Sequence, residues 1–269
     1  MSARRRGIST ALAILILIVL LFPVYWMVNT SLQPNGATVT AQWFPFDPSF
    51  HGYEVALAEQ AGNILTSVLV ASGSVVLTLF VAAPAAYAIA QALPRRSGPL
   101  MLVVLVTQMI PGIVVANALY VWYSDLGLLN TIPGLILADS TAGIPFAIII
   151  LQAFMAGLPV GVLEAARMDG AGQLRVFLSI AVPMSRNALI TSGLFAFLFS
   201  WSDFLFALTL TTSPDVRPVT LGIYSYLGAY VNDWSPVMAT SVLASLPAVV
   251  LLLVAQKYIA AGTTAGAVK

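Results

Sequence analysis

Cysteine is absent from the 269 residues of the chain, which excludes disulfide bonds, thiol catalysis and metal sites built on cysteine. Charge is scarce as well, because Asp, Glu, Lys and Arg make up 8% of the residues, whereas soluble domains carry about 25%. Apolar residues make up 59%, and a soluble fold of that composition would have too little polar surface to cover itself. These shortages exclude the ordinary soluble classes and indicate a chain that lies in lipid.

Signatures of the common catalytic sites are also missing. The only histidine, His51, has no second histidine with which to share a metal ion. No Gly-x-Ser-x-Gly or His-Glu-x-x-His sequence occurs, which argues against an esterase and a zinc protease. The phosphate loop Gly-x-x-x-x-Gly-Lys-Ser/Thr is absent too, so ATP hydrolysis by that loop is excluded. We expect no catalytic residue, no metal site and no cofactor in this chain, and we expect that it is not an enzyme.

The apolar residues gather in six stretches, each long enough to cross about 30 Å of hydrocarbon as a helix. Their continuous apolar runs favour helices over a membrane barrel, whose strands alternate apolar and polar residues. We therefore predict an all-α membrane protein, with a single transmembrane domain over residues 1–269. The six spans are predicted at 8–28, 62–92, 99–123, 133–156, 185–211 and 237–257.

The positions of the cations predict the orientation of these spans. With a cytoplasmic N-terminus, ten of the eleven Lys and Arg residues fall in cytoplasmic segments, and only Arg217 lies outside. The reverse orientation breaks the positive-inside rule, so both termini are expected in the cytoplasm. The first apolar run follows Arg4, Arg5 and Arg6 and is longer than the core of a typical signal peptide, so we expect a retained signal anchor.

The outer loop between the fifth and sixth spans is rich in aromatic residues, and two interpretations stay open for it. Tyr and Trp at a bilayer boundary are most often interface anchors. Aromatic residues are also enriched in the hot spots of protein interfaces, which would make this loop a docking surface for an external partner. The residues concerned are Tyr224, Tyr226, Tyr230 and Trp234.

One cytoplasmic loop, 157–184, is long, and its composition predicts a helix–turn–helix. Pro159 suits the first turn of a short helix that continues through Glu164–Met168, and Gly170 allows a sharp stop. A second helix is expected at about 172–180, with its apolar residues on one side. The adjacent alanines of the first helix offer a shallow surface that another protein can approach closely. An amphipathic hairpin resting on lipid is the alternative that the spacing leaves open.

This loop resembles the EAA motif of importer permeases that are driven by ATP-binding cassettes. Glu164-Ala165-Ala166 and Gly170 match the motif, and Ile180 follows after nine further residues, with Val182-Pro183 where Leu-Pro is usual. Other segments resemble the carbohydrate permeases similar to the smaller membrane subunit of the maltose importer. These segments are Asn-Ile-Leu-Thr-Ser at 63–67, Ala-Ala-Tyr-Ala-Ile-Ala at 85–90, Met-Ile-Pro at 109–111, Leu-Gly-Leu-Leu-Asn-Thr at 126–131 and Trp-Ser-Asp-Phe at 201–204.

The resemblance implies the permease fold of type I ABC importers, in a bacterial inner membrane. It implies that the long loop is a coupling helix, which converts closure of an ATPase into opening of the spans. The ATPase-coupling residues would be Glu164, Ala165, Ala166, Asp169 and Gly170. The C-terminal tail at 262–269 also resembles the tail of this family, which approaches the ATPase pair. Gln91 stands where the family commonly has Arg.

The resemblance also implies a set of partners. These are a second homologous permease, two copies of a cytoplasmic ATP-binding subunit that hold ATP and Mg, and an extracytoplasmic solute-binding protein. Membrane lipid surrounds the spans, and no nucleic acid is expected.

Polar residues within the predicted spans are candidates for the substrate pathway, since polar groups in a membrane are costly and often functional. Neutral side chains there could bind sugar hydroxyls or stack on a sugar face, and an acid could face a water-filled vestibule. Hydrogen bonding between helices, or helix capping, is the alternative for each of them. The candidates are Asn63, Gln108, Asn117, Tyr120, Trp201 and Asp203.

The sequence thus predicts a permease subunit that imports a sugar or an oligosaccharide. One alternative is an ABC importer for a non-sugar solute, such as a phosphorylated polyol or an amino acid, because the EAA loop is shared among these importers. The other is an ion-coupled secondary transporter, which would have ionisable residues at the bilayer midplane or interrupted half-helices. Asp139 lies about two turns into the fourth span and Asp203 lies near the outer end of the fifth, so neither is central.

Overall fold

Helices form the regular secondary structure of the computed structural model, which describes residues 3–34, 42–227 and 233–265. These residues contain no strand, so the predicted all-α class is confirmed. In chain order the described helices are α1 (Ala3–Ser31), α2 (His51–Tyr87), α3 (Ser97–Thr107), α4 (Gly112–Leu126), α5 (Ile132–Ala156), α6 (Val160–Met168), α7 (Gln173–Val176), α8 (Val182–Met184), α9 (Arg186–Trp201), α10 (Leu205–Leu210), α11 (Val219–Ser225) and α12 (Ser235–Ala265). Two π-helical segments, π1 (Ala88–Ala92) and π2 (Phe177–Ala181), extend α2 and α7.

Four long helices and two bent helix pairs have the length and composition to cross a membrane. The four continuous stretches are Ser9–Ser31, His51–Ala92, Ile132–Ala156 and Ser235–Gln256. The bent pairs are Pro94–Thr107 with Gly112–Leu126, at 81°, and Gln173–Met184 with Arg186–Trp201, at 79°. If each bent pair is one span, the described residues contain up to six, the number expected from the sequence.

The third predicted span, 99–123, is not one continuous helix. α3 ends at Thr107 and α4 begins at Gly112, with an 81° bend between the two helices. Pro111 accounts for the break, because proline has no N–H to donate and disfavours helical backbone at the preceding residue. Met109, which is 80% exposed, therefore lies in a turn instead of the middle of a helix.

Two other predicted spans differ from the structure at their ends. α2 starts at His51 instead of residue 62, because the residues before Asn63 are too polar for a hydropathy pattern to include them. The fifth predicted span, 185–211, is divided between α9, which ends at Trp201, and α10, which starts at Leu205.

The chain folds into two compact units. The first consists of Met1–Gly62 and Gly222–Leu246, and the second consists of Asn63–Leu221 and Pro247–Lys269. The C-terminal tail predicted at 262–269 is described only to Ala265, as the end of α12. Its last four residues lie outside the described ranges.

In the first unit, the C-terminal part of α1 is held against the chain that leads to α2. The Asn29 side-chain amide donates a hydrogen bond to the carbonyl of Gln42 at 2.7 Å. One turn earlier, the Trp26 ring meets the Trp43 ring edge to face, with the ring centroids 5.6 Å apart. The segment after residue 42 therefore packs back along α1.

The aromatic residues predicted to anchor the membrane or dock a partner differ in their exposure. Tyr224 is half exposed, whereas Tyr226 and Trp234 are only partly exposed. Tyr230 lies outside the described residues. Both interpretations of this loop stay predictions.

The core of the second unit depends on small residues where α2, α5 and α9 meet. A Cβ atom on Gly143 of α5 would lie 2.8 Å from the Thr78 hydroxyl oxygen of α2. A Cβ on Gly193 of α9 would lie 3.3 Å from a methyl group of Leu79, also on α2. Small residues at such contacts let helix backbones approach closely, and the resulting van der Waals packing is one of the forces that hold helices together in lipid.

A buried polar cluster joins the same three helices. Asp139 of α5 is 6% exposed, and its Oδ2 atom accepts a hydrogen bond of 2.5 Å from the Ser200 hydroxyl of α9. The Ser74 hydroxyl of α2 lies 3.4 Å from that of Ser200. Among the described residues, Asp139 Oδ1 has no partner, so Ser200 supplies the only side-chain hydrogen bond to this carboxyl group. Asp139 therefore has a structural role in helix packing.

Replacing Ser200 by Ala tests the contribution of this cluster. Ser200→Ala leaves the buried Asp139 carboxyl without its donor, so we expect the free energy of unfolding to fall by about 1–2 kcal/mol. The measurement is the unfolding midpoint of purified protein titrated with SDS in mixed micelles. Ser202→Ala is the matched control, because the exposed Ser202 hydroxyl bonds only within its own helix end, to the Leu198 carbonyl at 2.7 Å. Equal midpoints for the two variants would contradict the assignment.

Candidate functional site

The long loop forms a helical hairpin whose turn depends on one glycine. α6 follows Pro159 and ends at Met168, and the Asp169 amide still donates to the Ala165 carbonyl at 3.0 Å. Gly170 then takes a φ of +81°, a left-handed conformation that glycine adopts without a steric penalty. The Ala171 amide closes the turn by donating to the Ala166 carbonyl at 3.0 Å. This geometry is the helix–turn–helix that the sequence predicts.

The second arm of the hairpin is longer than the predicted 172–180. α7 continues through π2 into α8 and reaches Met184. Pro183 follows π2 directly, and a local π-helical adjustment is one way in which a helix accommodates the missing N–H of a proline. The chain then bends by 79° at Ser185 and enters α9. The hairpin is thus attached to membrane helices at both ends, to α5 through Gly157 and to α9 through Ser185.

One face of the hairpin is buried against the ends of the membrane helices. Leu163 of α6 and Val176 of α7 are 1% and 0% exposed. They belong to one hydrophobic cluster with residues of π1 and of the C-terminal part of α5, including Ile89 and Leu151. This packing buries part of the apolar surface of the hairpin, so these side chains are not free to rest on lipid.

The opposite face is exposed and carries four of the five predicted coupling residues. Glu164, Ala165, Asp169 and Gly170 are exposed, whereas Ala166 is half-buried and packs against the hydrophobic cluster. Large apolar side chains lie on the exposed hairpin surface as well, namely Met168, Leu174 and Leu178. Exposed apolar side chains bordered by polar residues are a feature of interaction sites for proteins or membranes.

The predicted pathway residues fall into two groups. Gln108 lies at the break between α3 and α4, and Asn117 and Tyr120 lie three residues apart on α4, so they share a helix face. These three are exposed. Asn63, in α2, is half-buried, and Trp201 is buried, with its ring stacked on Phe197 at a centroid distance of 5.4 Å.

Asp203 acts as a helix cap. Its two carboxylate oxygens accept hydrogen bonds from the backbone amides of Phe206 at 3.3 Å and Ala207 at 3.0 Å. The Asp203 carbonyl accepts a further hydrogen bond from the Thr220 hydroxyl at 2.6 Å, which connects this corner to the start of α11. Capping by a carboxylate satisfies the free amides at a helix start.

Asn130 is a positioning residue that the sequence pattern does not single out. It has a φ of +56°, and its side-chain oxygen accepts from the amides of Thr212 at 2.6 Å and Ser213 at 2.8 Å. It therefore joins the turn before α5 to the chain that follows α10. The local sequence gives one indication of a turn at Asn130, which lies three residues after Gly127 and just before the Thr131 cap of α5. Asn tolerates left-handed backbone better than most residues.

Comparison with known proteins gives consistent matches. A family model described as binding-protein-dependent transport system inner membrane component matches residues 74–264. A probable ABC transporter permease protein of Sinorhizobium fredii is 35% identical over 256 residues, which are 93% of this chain and 91% of that protein. The trehalose/maltose transport system permease protein of Thermococcus litoralis is 30% identical over 262 residues, which are 96% of this chain and 94% of that protein.

The fold has a close counterpart among solved structures. A chain in the crystal structure of a bacterial ABC transporter involved in the import of the acidic polysaccharide alginate superposes with a TM-score of 0.81. The match covers 96% of this chain and 98% of that chain, at 21% sequence identity. The predicted permease fold is therefore confirmed.

Two substitutions at Asp203 separate capping from other roles. Asp203→Ala removes the cap, and we expect it to lower the free energy of unfolding by about 1 kcal/mol. Asp203→Asn keeps a capping oxygen, and we expect its stability within about 0.5 kcal/mol of the parent. The readout is unfolding in mixed micelles, with Asp215→Ala, at an exposed position, as the control. A loss in the Asn variant as large as that in the Ala variant would show that the charge matters, not the cap.

Proposed function

The chain belongs to the family of binding-protein-dependent transport system inner membrane components, and we propose on that premise that it imports a sugar or an oligosaccharide. Membership makes it a membrane transport subunit, a permease, and not an enzyme. The carbohydrate assignment is supported by relatives whose names give trehalose, maltose, diacetylchitobiose or melibiose as the transported solute. A non-sugar solute such as a phosphorylated polyol is the alternative within the same family.

The proposed transporter contains four kinds of protein. This chain pairs with a second homologous permease, and two copies of a cytoplasmic ATP-binding subunit hold ATP and Mg. An extracytoplasmic solute-binding protein delivers the sugar. The alginate importer, whose permease has this fold, has been crystallised in complex with a periplasmic protein that carries an alginate pentasaccharide, which supports the last partner.

The observation that carries the coupling role is the two-faced packing of the hairpin. Its inner face is buried with the ends of α2 and α5, and its outer face presents Glu164, Ala165, Asp169 and Gly170. The outer face docks on the ATP-binding subunit. Closure of the two ATP-binding subunits moves the hairpin, and the inner face passes this movement to the spans, which then open to the other side of the membrane.

The proposed solute pathway is lined by the exposed polar residues of the broken α3–α4 pair. Gln108, Asn117 and Tyr120 offer amide and hydroxyl groups that can bind sugar hydroxyls, with Asn63 as a further candidate on α2. Trp201 and Asp203 contribute through ring stacking on Phe197 and through helix capping of α10. Their contribution to the pathway is thus indirect.

Broken helices are also a feature of ion-coupled secondary transporters, which were the second alternative from the sequence. In those proteins the broken ends bind the coupling ion or the substrate. Here both carboxylate oxygens of Asp203, which lies in the break between α9 and α10, already accept hydrogen bonds from backbone amides of α10. The breaks in this chain therefore do not favour an ion-coupled mechanism.

We propose a multi-pass protein of the bacterial inner membrane with both termini in the cytoplasm. Because the chain has no cysteine, single-cysteine variants report this orientation without background. Gly172→Cys, in the hairpin, should react with a membrane-impermeant maleimide only in inverted membrane vesicles. Asp215→Cys, in the loop after α10, should react only in right-side-out vesicles. The opposite pattern would reverse the orientation.

Gly170→Ala tests the coupling role. A Cβ atom on Gly170 meets no atom within 4 Å, so the substitution acts through backbone strain at φ +81° alone and displaces the docking turn. We expect uptake to fall by roughly tenfold, equivalent to about 1.4 kcal/mol, while membrane insertion is unchanged. Glu164→Ala, which removes a charge on the docking face, should act in the same direction.

Gly161→Ala is the matched control for this test. A Cβ on Gly161 also meets no atom within 4 Å, and its position inside α6 suits alanine. We expect normal uptake in this variant. Normal uptake in the Gly170→Ala and Glu164→Ala variants as well would contradict the coupling role of the hairpin.

A further inference from the structure

Two π-helical segments lie in the same hydrophobic cluster, where the hairpin meets the membrane helices. π1 is the last turn of the helix that begins as α2, and π2 lies in the second arm of the hairpin. Residues of both segments, including Ile89 and Ala181, are buried in this one cluster. Such segments are rare and occur mostly as single turns at functional sites. The place where the hairpin transmits force to the spans is therefore structurally unusual.

The first link between these segments is a contact of two aromatic rings. The rings of Tyr87, which precedes π1, and Phe177, which begins π2, have centroids 5.2 Å apart and planes at 45°. Tyr87 is buried, and among the described residues its hydroxyl has no hydrogen-bond partner. The Tyr87 ring, not its hydroxyl, thus makes the link to the hairpin.

The second link is a hydrogen bond at the entry to the hairpin. The Gln91 side-chain amide of π1 donates to the carbonyl of Met155 at 2.7 Å. Met155 is fully buried, and it lies in the last turn of α5, two residues before the loop begins at Gly157. The Met155 carbonyl also accepts from the Leu158 amide at 3.3 Å, so it connects π1, the end of α5 and the first residues of the loop.

We propose that Tyr87 and Gln91 are positioning residues, which couple the movement of the hairpin to α2 and α5. The inference rests on the proposed function, because it assumes that the hairpin is moved by the ATP-binding subunit. The hairpin is joined to the spans at Gly157 and at the 79° bend at Ser185, and either joint can act as a hinge. The Tyr87–Phe177 contact holds the second arm to the end of α2. The Gln91 hydrogen bond holds π1 to the last turn of α5, from which the first arm departs, so both contacts limit tilting of the hairpin on these joints.

The proposal predicts uncoupling by substitutions far from the docking face. In Tyr87→Leu and Gln91→Leu the hairpin still docks, so ATP hydrolysis by the assembled transporter should continue. The membrane spans should no longer move with the hairpin, and the ATP-dependent conformational change should fall by at least about fivefold. Tyr87→Phe keeps the ring, and Gln91→Arg keeps an N–H donor, so both variants should retain the full change.

The experiment uses the complete transporter in proteoliposomes, assembled from this chain and its partner subunits. Met109→Cys, in the exposed turn between α3 and α4, reports the conformation through its rate of reaction with a maleimide. The ratio of rates with and without Mg·ATP and vanadate is the ATP-dependent change, and phosphate release gives ATP hydrolysis. Phe177→Leu removes the same ring contact from the hairpin side, so it should lower the ATP-dependent change as much as Tyr87→Leu does. The double variant should show no further loss of this change.

The Gly170→Ala variant, measured in the same assay, separates the positioning role of Tyr87 and Gln91 from the coupling role of the hairpin. If Gly170→Ala abolishes the change and the Leu variants at Tyr87 and Gln91 keep it, the positioning role is wrong and the coupling hairpin stands. If all of these variants keep the change, the proposed function of the hairpin is wrong. If a Leu variant loses ATP hydrolysis in parallel with the change, or Tyr87→Phe behaves as Tyr87→Leu does, the residues serve assembly and the positioning role is overturned.

Discussion

Hydrocarbon offers no hydrogen-bond partner to a backbone amide or carbonyl, and this constraint bears on the helix interruptions between α3 and α4 and between α9 and α10. Pro111 precedes α4 without an amide hydrogen that would need a partner. Asp203 accepts two amides at the start of α10, and Asn130 accepts the amides of Thr212 and Ser213 beyond its end. Side-chain acceptors therefore satisfy amides at both ends of α10, whereas α4 starts after a proline and has no side-chain cap.

The hairpin differs from these breaks, because part of its surface has to stay exposed so that a partner protein can bind it. Leu163 and Val176 fill the space between the ends of α2 and α5, which fixes the hairpin to the membrane helices. Glu164 and Asp169 stay on the other side, together with exposed apolar groups such as Met168. A surface element that is rigidly attached on one face and open on the other is suited to pass a partner's movement into the spans.

Much of this arrangement can be predicted from the sequence, and the failures have local causes. Hydropathy locates the four long helices and the two bent pairs that could cross a membrane, but it misses the break before Pro111, because Met109 and Ile110 are apolar and leave the run unbroken. Gly170 is predictable as a turn, since glycine follows a charged helix end. Asn130 is not, because its partners lie 82 and 83 residues further along the chain. Spacing alone left lipid contact and docking open for the hairpin. The resemblance favoured docking, and the buried inner face now gives a physical reason.

The most direct test of the account is to identify what touches the outer face of the hairpin in the membrane. A photoreactive benzoylphenylalanine at the exposed Ala165 can be compared with one at Leu174, on the second arm, and with one at Leu102, on α3. If the hairpin docks on the ATP-binding subunit, irradiation of cells joins the Ala165 variant to that subunit, while the Leu102 variant gives no such product. Cross-links from Ala165 to lipid alone, with none to the ATP-binding subunit, would contradict it.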